Sequence, residues 1–279
     1  MTQKLRKGIR RGITTLLLII GGVAMMLPFL YMVSTSLKGA VYVFEIPPHL
    51  IPGDPTLDNF IAAWQSNQFG RYFFNSILVS GVTIPSILLL ASMMAYAFAR
   101  YQFRGKKLFY ALVIFFMTMP AMSLIVPQFV LARTLRLTDT IAGLILMYIT
   151  QNLPFAIFLL RGFLEEVPRD IEDAARIDGA SAWSIYWRII LPLCKPALAT
   201  SAIIAFLGAW DEFVWANTLI TSPEKRTLPV AIANFQGVHT TNWGLVFAAS
   251  IIAVIPVIIL FIALQKYFIK GMVAGAVKG

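Results

Sequence analysis

The 279-residue chain is far more apolar, and carries far less charge, than an ordinary soluble domain. Hydrophobic residues make up 58% of it and charged residues 13%, with a mean hydropathy of +0.77, whereas charged residues alone are about a quarter of a typical soluble domain. The net charge of +10 does not indicate nucleic-acid binding, because the long apolar runs leave no polar domain to carry a basic face. The single cysteine, Cys194, excludes an internal disulfide and a multi-cysteine metal site. The composition therefore predicts an all-α polytopic membrane protein in a lipid bilayer.

The N-terminal region combines a basic segment with a long apolar run. Five lysines and arginines precede residue 12, and an uncharged run covers 13–33. A cleaved signal peptide shares this layout, but its apolar part is about 7 to 15 residues long, whereas about 20 residues span a hydrocarbon core. We therefore predict a retained first span at 13–33, followed by a proline-rich external loop with a short helix near 57–65.

Five further apolar runs are long enough to cross a bilayer. Basic clusters, a proline-rich loop or short turns separate them. Prolines inside the third run are compatible with a span, because neighbouring helices can pair the freed backbone groups. The predicted spans 2 to 6 are 72–99, 108–132, 141–160, 197–220 and 245–268, in a single transmembrane domain over 1–279 with a C-terminal tail at 270–279.

Six spans put both termini on one side of the membrane, and the distribution of lysine and arginine indicates which side. The two termini, the turn 100–107 and the stretch 161–196 together hold 17 of the 23 basic residues, and the opposite side holds six. Positive charge concentrates in cytoplasmic segments. The sequence therefore predicts that both termini, and the polar segment 165–196, are cytoplasmic.

The polar segment 165–196 is predicted to form two short helices. We expect Asp170 to cap the first, with Asp173 accepting from its first turn, because acidic residues suit the positive end of a helix dipole. Glu172 can pair with Arg176 one turn later. One face carries two alanines and is shallow enough for another protein surface to approach closely. The residues of this face are Ile171, Ala174, Ala175 and Asp178.

Turn and cap residues divide the two helices. Gly179 suits the left-handed stop after a short helix, Ser181 suits the cap of the next, and Pro192 is expected to break it. Four apolar residues of the second helix fall on one side, suitable for the membrane interface or for the ends of other spans. They are Trp183, Tyr186, Trp187 and Ile190. Taken alone, this segment could also be a surface helix resting on the membrane.

A motif in the same segment resembles that of a known family. Asp173-Ala174-Ala175, Gly179 six positions after Asp173, and Ile189-x-Leu191-Pro192 are similar to the EAA signature of the membrane subunits of bacterial ATP-binding-cassette importers. Asp173 stands where that family usually has glutamate, and Glu172 precedes it. The resemblance extends to the carbohydrate-importer branch, specifically its maltose-type second permease, through Asn75-Ser76, the Ala95 to Arg100 stretch, Trp210-Asp211-Glu212-Phe213 and the ending 271–279.

The resemblance implies a transport subunit, not an enzyme, in the cytoplasmic (inner) membrane of a bacterium or archaeon. It would form the pathway for a sugar or oligosaccharide with a second homologous permease. Two ATPase subunits and an extracytoplasmic solute-binding protein would complete the complex. ATP and Mg would be bound by the ATPase, since the chain has no phosphate-binding loop: its one Gly-Lys pair, Gly105-Lys106, has Arg100 where the first glycine belongs. The particular sugar is not implied.

The resemblance also implies two contacts with the ATPase. The helix of the EAA motif would dock in a cleft of the ATPase, through Glu172, Asp173, Ala174, Ala175, Asp178, Gly179 and Ala180. The C-terminal tail would reach the same partner through Ala274, Gly275, Ala276, Val277, Lys278 and Gly279.

Polar residues inside the spans are candidates for the solute pathway. Asp211 and Glu212 are the acidic residues within a predicted span, and an ionised side chain facing lipid costs roughly 2.5 to 3.5 kcal/mol. We therefore expect one of the two to line the route and the other to anchor a neighbouring helix or loop, because adjacent positions are about 100° apart on a helix. Asn152, Asn217 and Gln151 are weaker candidates, since an amide in a span often hydrogen-bonds another helix.

Other functional classes lack support in the sequence. His49 and His239 are both external and far apart in sequence, so no metal site and no catalytic pair is predicted. An ion-coupled secondary transporter would show paired repeats with broken helices at the midplane, and a membrane enzyme would need a convergent set of reactive residues. An importer of the same family for a polyol or a glycerol-phosphate-type solute remains the main alternative to a sugar importer.

Overall fold

The computed structural model describes residues 2–42, 44, 47, 49–66, 68–237 and 240–276, and of residues 2–9 and 267–276 it describes only the backbone. The described part is almost entirely helical, and its one β feature is an antiparallel bridge between Gln236 and Thr241. The helices of the first half are α1 Thr2–Ser36, α2 Asp58–Gln65, α3 Phe69–Arg100, α4 Lys106–Thr118, α5 Ile125–Thr134 and α6 Ile141–Glu166. Those of the second half are α7 Asp170–Ile177, α8 Ala182–Ile185, α9 Leu191–Leu193, α10 Lys195–Trp210, α11 Val214–Leu219, α12 Leu228–Asn234 and α13 Trp243–Ala276.

Four of these helices are long and apolar enough to cross a membrane. They are the parts of α1, α3, α6 and α13 at Arg10–Ser36, Phe69–Arg100, Ile141–Glu166 and Trp243–Lys266, and two bent helix pairs raise the number to six if each pair is one span. Much of their apolar surface is exposed, as at Leu18 and Met25, which favours a lipid environment over water. The prediction of an all-α membrane protein is confirmed at this level, and the predicted short helix near 57–65 is present as α2.

The third predicted span, 108–132, is not one continuous helix. It consists of α4 and the helical stretch Ala121–Thr134, which are bent by 103° at a short break. Met119 in the break has an extended backbone, with φ −75° and ψ 128°. Pro120 explains the break, because its ring disfavours helical geometry at the preceding residue and it has no N–H to continue the helical ladder.

The fifth predicted span, 197–220, is also interrupted. α10 ends at Trp210, and α11 begins only at Val214. The preceding helix does not stop at Pro192, because it continues to Leu193 and then bends by 74° into α10 at Cys194. The last predicted span has no boundary near 268, since α13 runs on through Ala276 into the predicted tail.

The chain contains two compact units. One comprises residues 1–69 and 232–254, and the other comprises 70–231 and 255–279. In the first unit, Asn59 of α2 donates from Nδ2 to the carbonyls of Ser36 and Lys38, at 3.0 and 2.5 Å. These bonds pair backbone groups at the end of α1 that have no helical partner.

The second unit is built around α6, which packs against α4, α10 and α11. Ile87 of α3 and Leu160 of α6 lie in one buried cluster with Ile185 and Ile190. The helices of the polar segment 165–196 are therefore packed onto the ends of α3 and α6, and are not a detached surface loop. A second cluster surrounds Tyr148 of α6.

Candidate functional site

α7 presents one side to the outside of the chain. Asp173 is 60% exposed and Ile177 is 86% exposed, although isoleucine is ordinarily among the most buried residues. Ala175 and Ala180, in contrast, pack against the buried cluster. The predicted face is therefore divided. The exposed positions of α7 and of the turn after it are Asp170, Ile171, Asp173, Ala174, Arg176, Ile177, Asp178 and Gly179.

The opposite side of α7 carries a buried ion pair. The Glu172 side chain is 2% exposed and the Arg100 side chain 5%, and Arg100 Nε donates to Glu172 Oε1. Glu172 Oε2 accepts from the Tyr96 hydroxyl at 2.9 Å, and Arg100 Nη2 donates to the Val167 carbonyl at 2.9 Å. Both ions have hydrogen-bond partners besides each other, which a buried pair needs in order to offset its desolvation. The pair joins α7 to the last turn of α3.

Glu172 is therefore turned inward, although it was grouped with the ATPase-contacting residues. Its predicted pair with Arg176 is a longer contact of 3.8 Å, while Arg176 Nη1 donates to Asp173 Oδ1 at 2.9 Å. The prediction that Asp170 is the N-cap is wrong. Arg169 is the residue before α7, and no side chain caps the helix, because the Arg169 carbonyl already accepts from the N–H groups of Glu172 and Asp173.

The turn between the two short helices has the predicted geometry. Gly179 has a φ of +82°, in the left-handed region that favours glycine. Its N–H donates to the Arg176 carbonyl at 3.0 Å, and the next N–H, from Ala180, donates to Ala175 at 2.9 Å. Ser181 Oγ accepts from the Ser184 N–H at 3.2 Å, as a capping residue does.

The second helix of the segment does not have one uniform apolar side. Tyr186 and Ile190 are buried, whereas Trp183 and Trp187 are exposed. A π-helical turn at Tyr186–Ile190 changes the spacing of 3.6 residues per turn on which the prediction relied. The Tyr186 and Ser92 hydroxyls are 2.7 Å apart. This contact joins the segment to α3 a second time.

The two acidic residues predicted within the fifth span lie at its interruption. Glu212 Oε2 accepts from the Tyr148 hydroxyl at 2.9 Å, and its two carboxylate oxygens accept from the N–H groups of Trp215 and Ala216 at 2.8 and 3.0 Å. Glu212 thus pairs the free N–H groups at the start of α11 and anchors α11 to α6. Asp211 is exposed beside it. Of the two, Asp211 is the one whose side chain is available to another molecule.

The amide candidates differ in their surroundings. Asn152 Nδ2 donates to the Tyr148 carbonyl one turn earlier, at 2.8 Å. Asn152 Oδ1 lies so close to Gly208 that a Cβ atom at position 208 would clash with it, which shows that α6 and α10 approach closely here. Asn217 is exposed on α11. Gln151 Nε2 is buried and has no hydrogen-bond partner among the described residues. Gln151 is therefore the amide with an unmet donor.

Asp139 forms a polar clamp that was not predicted from the sequence. Asp139 Oδ1 accepts from the N–H groups of Thr221 and Ser222 at 3.0 and 2.8 Å, and Oδ2 accepts from Ser222 Oγ at 2.5 Å and Lys225 Nζ at 3.1 Å. The hydroxyl and N–H of Ser222, together with Lys225, hold the pKa of this carboxyl well below its usual range. The clamp joins two turns that the charge distribution assigns to the same, external side.

The structure describes only part of the predicted C-terminal contact, residues 274–279. Ala274, Gly275 and Ala276 continue the helical backbone of α13, and Val277, Lys278 and Gly279 lie outside the described residues, as does His239. Within the described part, no three histidine, cysteine, aspartate or glutamate side chains converge as metal ligands would.

Known proteins resemble this chain over nearly its whole length. Residues 87–274 match the binding-protein-dependent transport system inner membrane component family. A trehalose transport system permease protein of Mycobacterium tuberculosis is 38% identical over 91% of this chain and 93% of its own. A galactooligosaccharides transport system permease protein of Bacillus subtilis is 35% identical over 99% of both.

The fold agrees with the sequence comparison. A chain from the crystal structure of a bacterial ABC transporter involved in the import of the acidic polysaccharide alginate superposes with a TM-score of 0.81. The identity is 26%, and the match covers 96% of this chain and 99% of that one. The segment that contains α7, its buried ion pair and both interrupted spans lies inside the matched region. The chain belongs to the family of binding-protein-dependent transport system inner membrane components, the permease subunits of ABC importers.

Proposed function

We propose that this chain forms, together with a second homologous permease, the translocation pathway for a sugar or oligosaccharide. Two separate ATPase subunits would power transport, and an extracytoplasmic solute-binding protein would deliver the solute. Both relatives described above are permeases of saccharide transport systems, and the solved neighbour takes part in polysaccharide import. These likenesses favour a saccharide over a polyol or a glycerol phosphate.

The exposed side of α7 is the observation that carries the coupling role. It combines small, acidic and apolar residues, including the largely exposed Ile177, and such a surface on a polar segment suits docking with another protein. Of the two adjacent carboxylates, Asp173 is the exposed one that would meet a basic group of the ATPase, because Glu172 is buried. We place this segment and both termini in the cytoplasm, in accordance with the 17 to 6 division of basic residues.

The buried ion pair would make α7 and α3 move as one body. ATP closing the ATPase dimer would displace α7, and the Glu172–Arg100 pair would carry that displacement into the end of α3. Moving a two-state equilibrium from 1:99 to 99:1 takes about 5.5 kcal/mol of differential binding. Breaking a buried ion pair costs about 3 to 5 kcal/mol, and the Tyr186–Ser92 contact adds to it. Separating α7 from α3 would therefore cost a free energy comparable with the one that drives the transition.

The C-terminal residues 274–279 are a proposed second contact with the ATPase. α13 continues without a break through Ala276, so the first three of these residues are helical. Within this mechanism the chain performs no covalent chemistry, and ATP with its Mg would be bound by the partner. The solute shifts the equilibrium between inward-facing and outward-facing states only by its different affinities for the two.

Reconstitution tests the proposal directly. The permease should co-purify with its partner permease and ATPase, and proteoliposomes supplied with the cognate binding protein should accumulate labelled trehalose or galactooligosaccharides only when ATP is enclosed. Accumulation of labelled glycerol instead would keep the family and replace the solute class. Uptake that continues without the ATPase and collapses with a proton or sodium gradient would refute the coupling mechanism.

A further inference from the structure

A cavity of about 280 Å³ lies beside the break in the third span, between that break and α6. Its size is close to the lower end of the range for small-molecule pockets, which is roughly 300 Å³. Phe116, before the break, and Phe155 of α6 supply aromatic walls, and three polar side chains line it from two elements. These are Gln128 of α5 and Thr150 and Gln151 of α6.

The cavity is surrounded by hydrogen-bonding groups that the described part of the chain leaves unpaired. Gln151 Nε2 is buried without a partner there. Pro154 has no N–H, so the carbonyl of Thr150, four residues earlier in α6, lacks its helical donor. α4 stops at Thr118 with an extended residue after it; the Phe115 carbonyl in its last turn accepts from the Thr118 hydroxyl at 2.8 Å, whereas the helix offers no N–H to the carbonyls that follow.

Such groups are not stable against lipid. Non-helical backbone and unpaired amides at membrane depth are tolerated only when they are buried in protein or line a water-filled cavity. Interrupted spans with free backbone groups are also where transporters hold their solutes. Glu212 pairs the groups at the other interruption internally, whereas nothing in the described residues does so for Gln151.

We propose that this cavity is a sugar-contact site on this permease, in which Gln128, Gln151 and the Thr150 carbonyl bind hydroxyl groups while Phe116 and Phe155 pack against the sugar ring. A polyhydroxylated ring fits because it offers both donors and acceptors on its rim and an apolar face to aromatic side chains. An alkyl chain of a lipid would leave the Gln151 amide unpaired. The proposal rests on the proposed function, and it locates the solute at residues outside the pair Asp211 and Glu212.

Cysteine accessibility tests the site. Cys194 is the sole native cysteine and is buried, so Cys194→Ala gives a cysteine-free parent in which Gln151→Cys and Gln128→Cys are placed singly. Leu18→Cys, at an exposed apolar position of α1, is the control for a lipid-facing site. Each variant is purified with the partner subunits, which checks its folding and assembly. It is then treated with a charged, membrane-impermeant methanethiosulfonate, with and without trehalose-loaded binding protein and a non-hydrolysable ATP analogue.

The expected result is that both glutamine positions react and the control does not. At a sugar concentration ten times its Kd, mass action predicts labelling roughly tenfold slower at both positions. Gln151→Leu in the native background should lower the maximal uptake rate roughly three- to tenfold, the effect of one lost hydrogen bond.

Two results would overturn the proposal. One is that the glutamine positions are as unreactive as the control, which would put them against lipid or the partner permease. The other is that they react without protection by the sugar, which would leave a wet cavity that does not bind it. Uptake by the cysteine-free parent distinguishes failure of the proposed site from failure of the proposed function. A parent that accumulates no saccharide contradicts the proposed function itself.

Discussion

Neutralising Glu172 tests whether the ion pair under α7 holds the segment to α3. Glu172→Gln keeps the size and shape of the side chain but removes its charge, so the Arg100 guanidinium remains 5% exposed without a counter-ion. Glutamine has one acceptor oxygen where Glu172 uses two, for Tyr96 and Arg100, so one hydrogen bond is lost together with the charge. The variant therefore isolates the loss of charge from the loss of packing.

The size of the effect follows from the burial of both partners. Removing one partner of a buried pair costs about 3 to 5 kcal/mol, because an uncompensated charge stays inside the protein. Replacing both partners by apolar residues is often nearly neutral, so Arg100→Met with Glu172→Met should recover most of the loss. Arg161 and Glu165 on α6 form a matched exposed pair, with side chains 23% and 49% exposed, and Glu165→Gln should cost about 0 to 1 kcal/mol.

The measurements are the unfolding free energy of the purified complex and the ratio of solute transported to ATP hydrolysed. Glu172→Gln should lower both, and Glu165→Gln should change neither by much. The double methionine variant should regain stability but keep a low transport ratio, since its joint is no longer hydrogen-bonded. An effect of Glu172→Gln no larger than that of Glu165→Gln would refute the reasoning.

Three further predictions concern other parts of the second unit. Asp139→Asn should cost roughly 1 kcal/mol of unfolding free energy at neutral pH. The folded-state pKa of Asp139 lies below the usual value of about 4, so the wild type should lose this stability as the pH falls below about 4. Thermal melts across pH should show this loss in the wild type and not in the variant. Gly179→Val places a side chain in open space at φ +82°, so the expected effect is backbone strain of about 1 to 2 kcal/mol and not a steric clash. Membrane insertion should be intact, but more ATP should be hydrolysed per solute transported. Gly179→Asn should raise this ratio less, and equal ratios for the two variants would contradict the prediction. Glu212→Ala should cost about 2 to 3 kcal/mol, since it removes a helix cap and leaves the buried Tyr148 hydroxyl only its longer bond of 3.3 Å to the carbonyl of residue 212. Glu212→Gln should cost less in the same unfolding assay.

Hydropathy located the membrane helices because lipid solubility is a local property of a sequence. The runs 72–99 and 141–160 fall inside α3 and α6. Hydropathy did not reveal where spans break, since Pro120 and Asp211 have little effect on the average over 20 residues. The proline was visible in the sequence, but a proline in a span is equally compatible with a continuous helix whose neighbours pair its freed groups.

The orientation of side chains in the polar segment was less predictable for a different reason. Gly179 and Ser181 could be assigned from sequence, because turn and cap preferences depend on the residue's own backbone. The inward position of Glu172 depends on Arg100, which is 72 positions away, and no local pattern encodes such a pairing. A basic residue at the end of a span was interpreted only as a topology signal, although it is also the counter-ion of a buried carboxylate.

The two interrupted spans can be compared by asking what pairs their free backbone groups. At 211–213 a residue of the chain itself pairs them, because Glu212 accepts from the first N–H groups of α11 and from Tyr148 of α6. At the break after Thr118, the Thr118 hydroxyl donates to the Phe115 carbonyl, but no side chain caps the start of the helical turn at Ala121, and the nearby Gln151 donor is unpaired among the described residues. Since membrane depth offers no bulk water to satisfy such a donor, we expect the solute or water in the cavity to pair it. Glu212 is therefore engaged in holding the fold while Asp211 is exposed beside it, and the less conspicuous break near Pro120, with its unpaired Gln151 donor, is the better place to look for the solute.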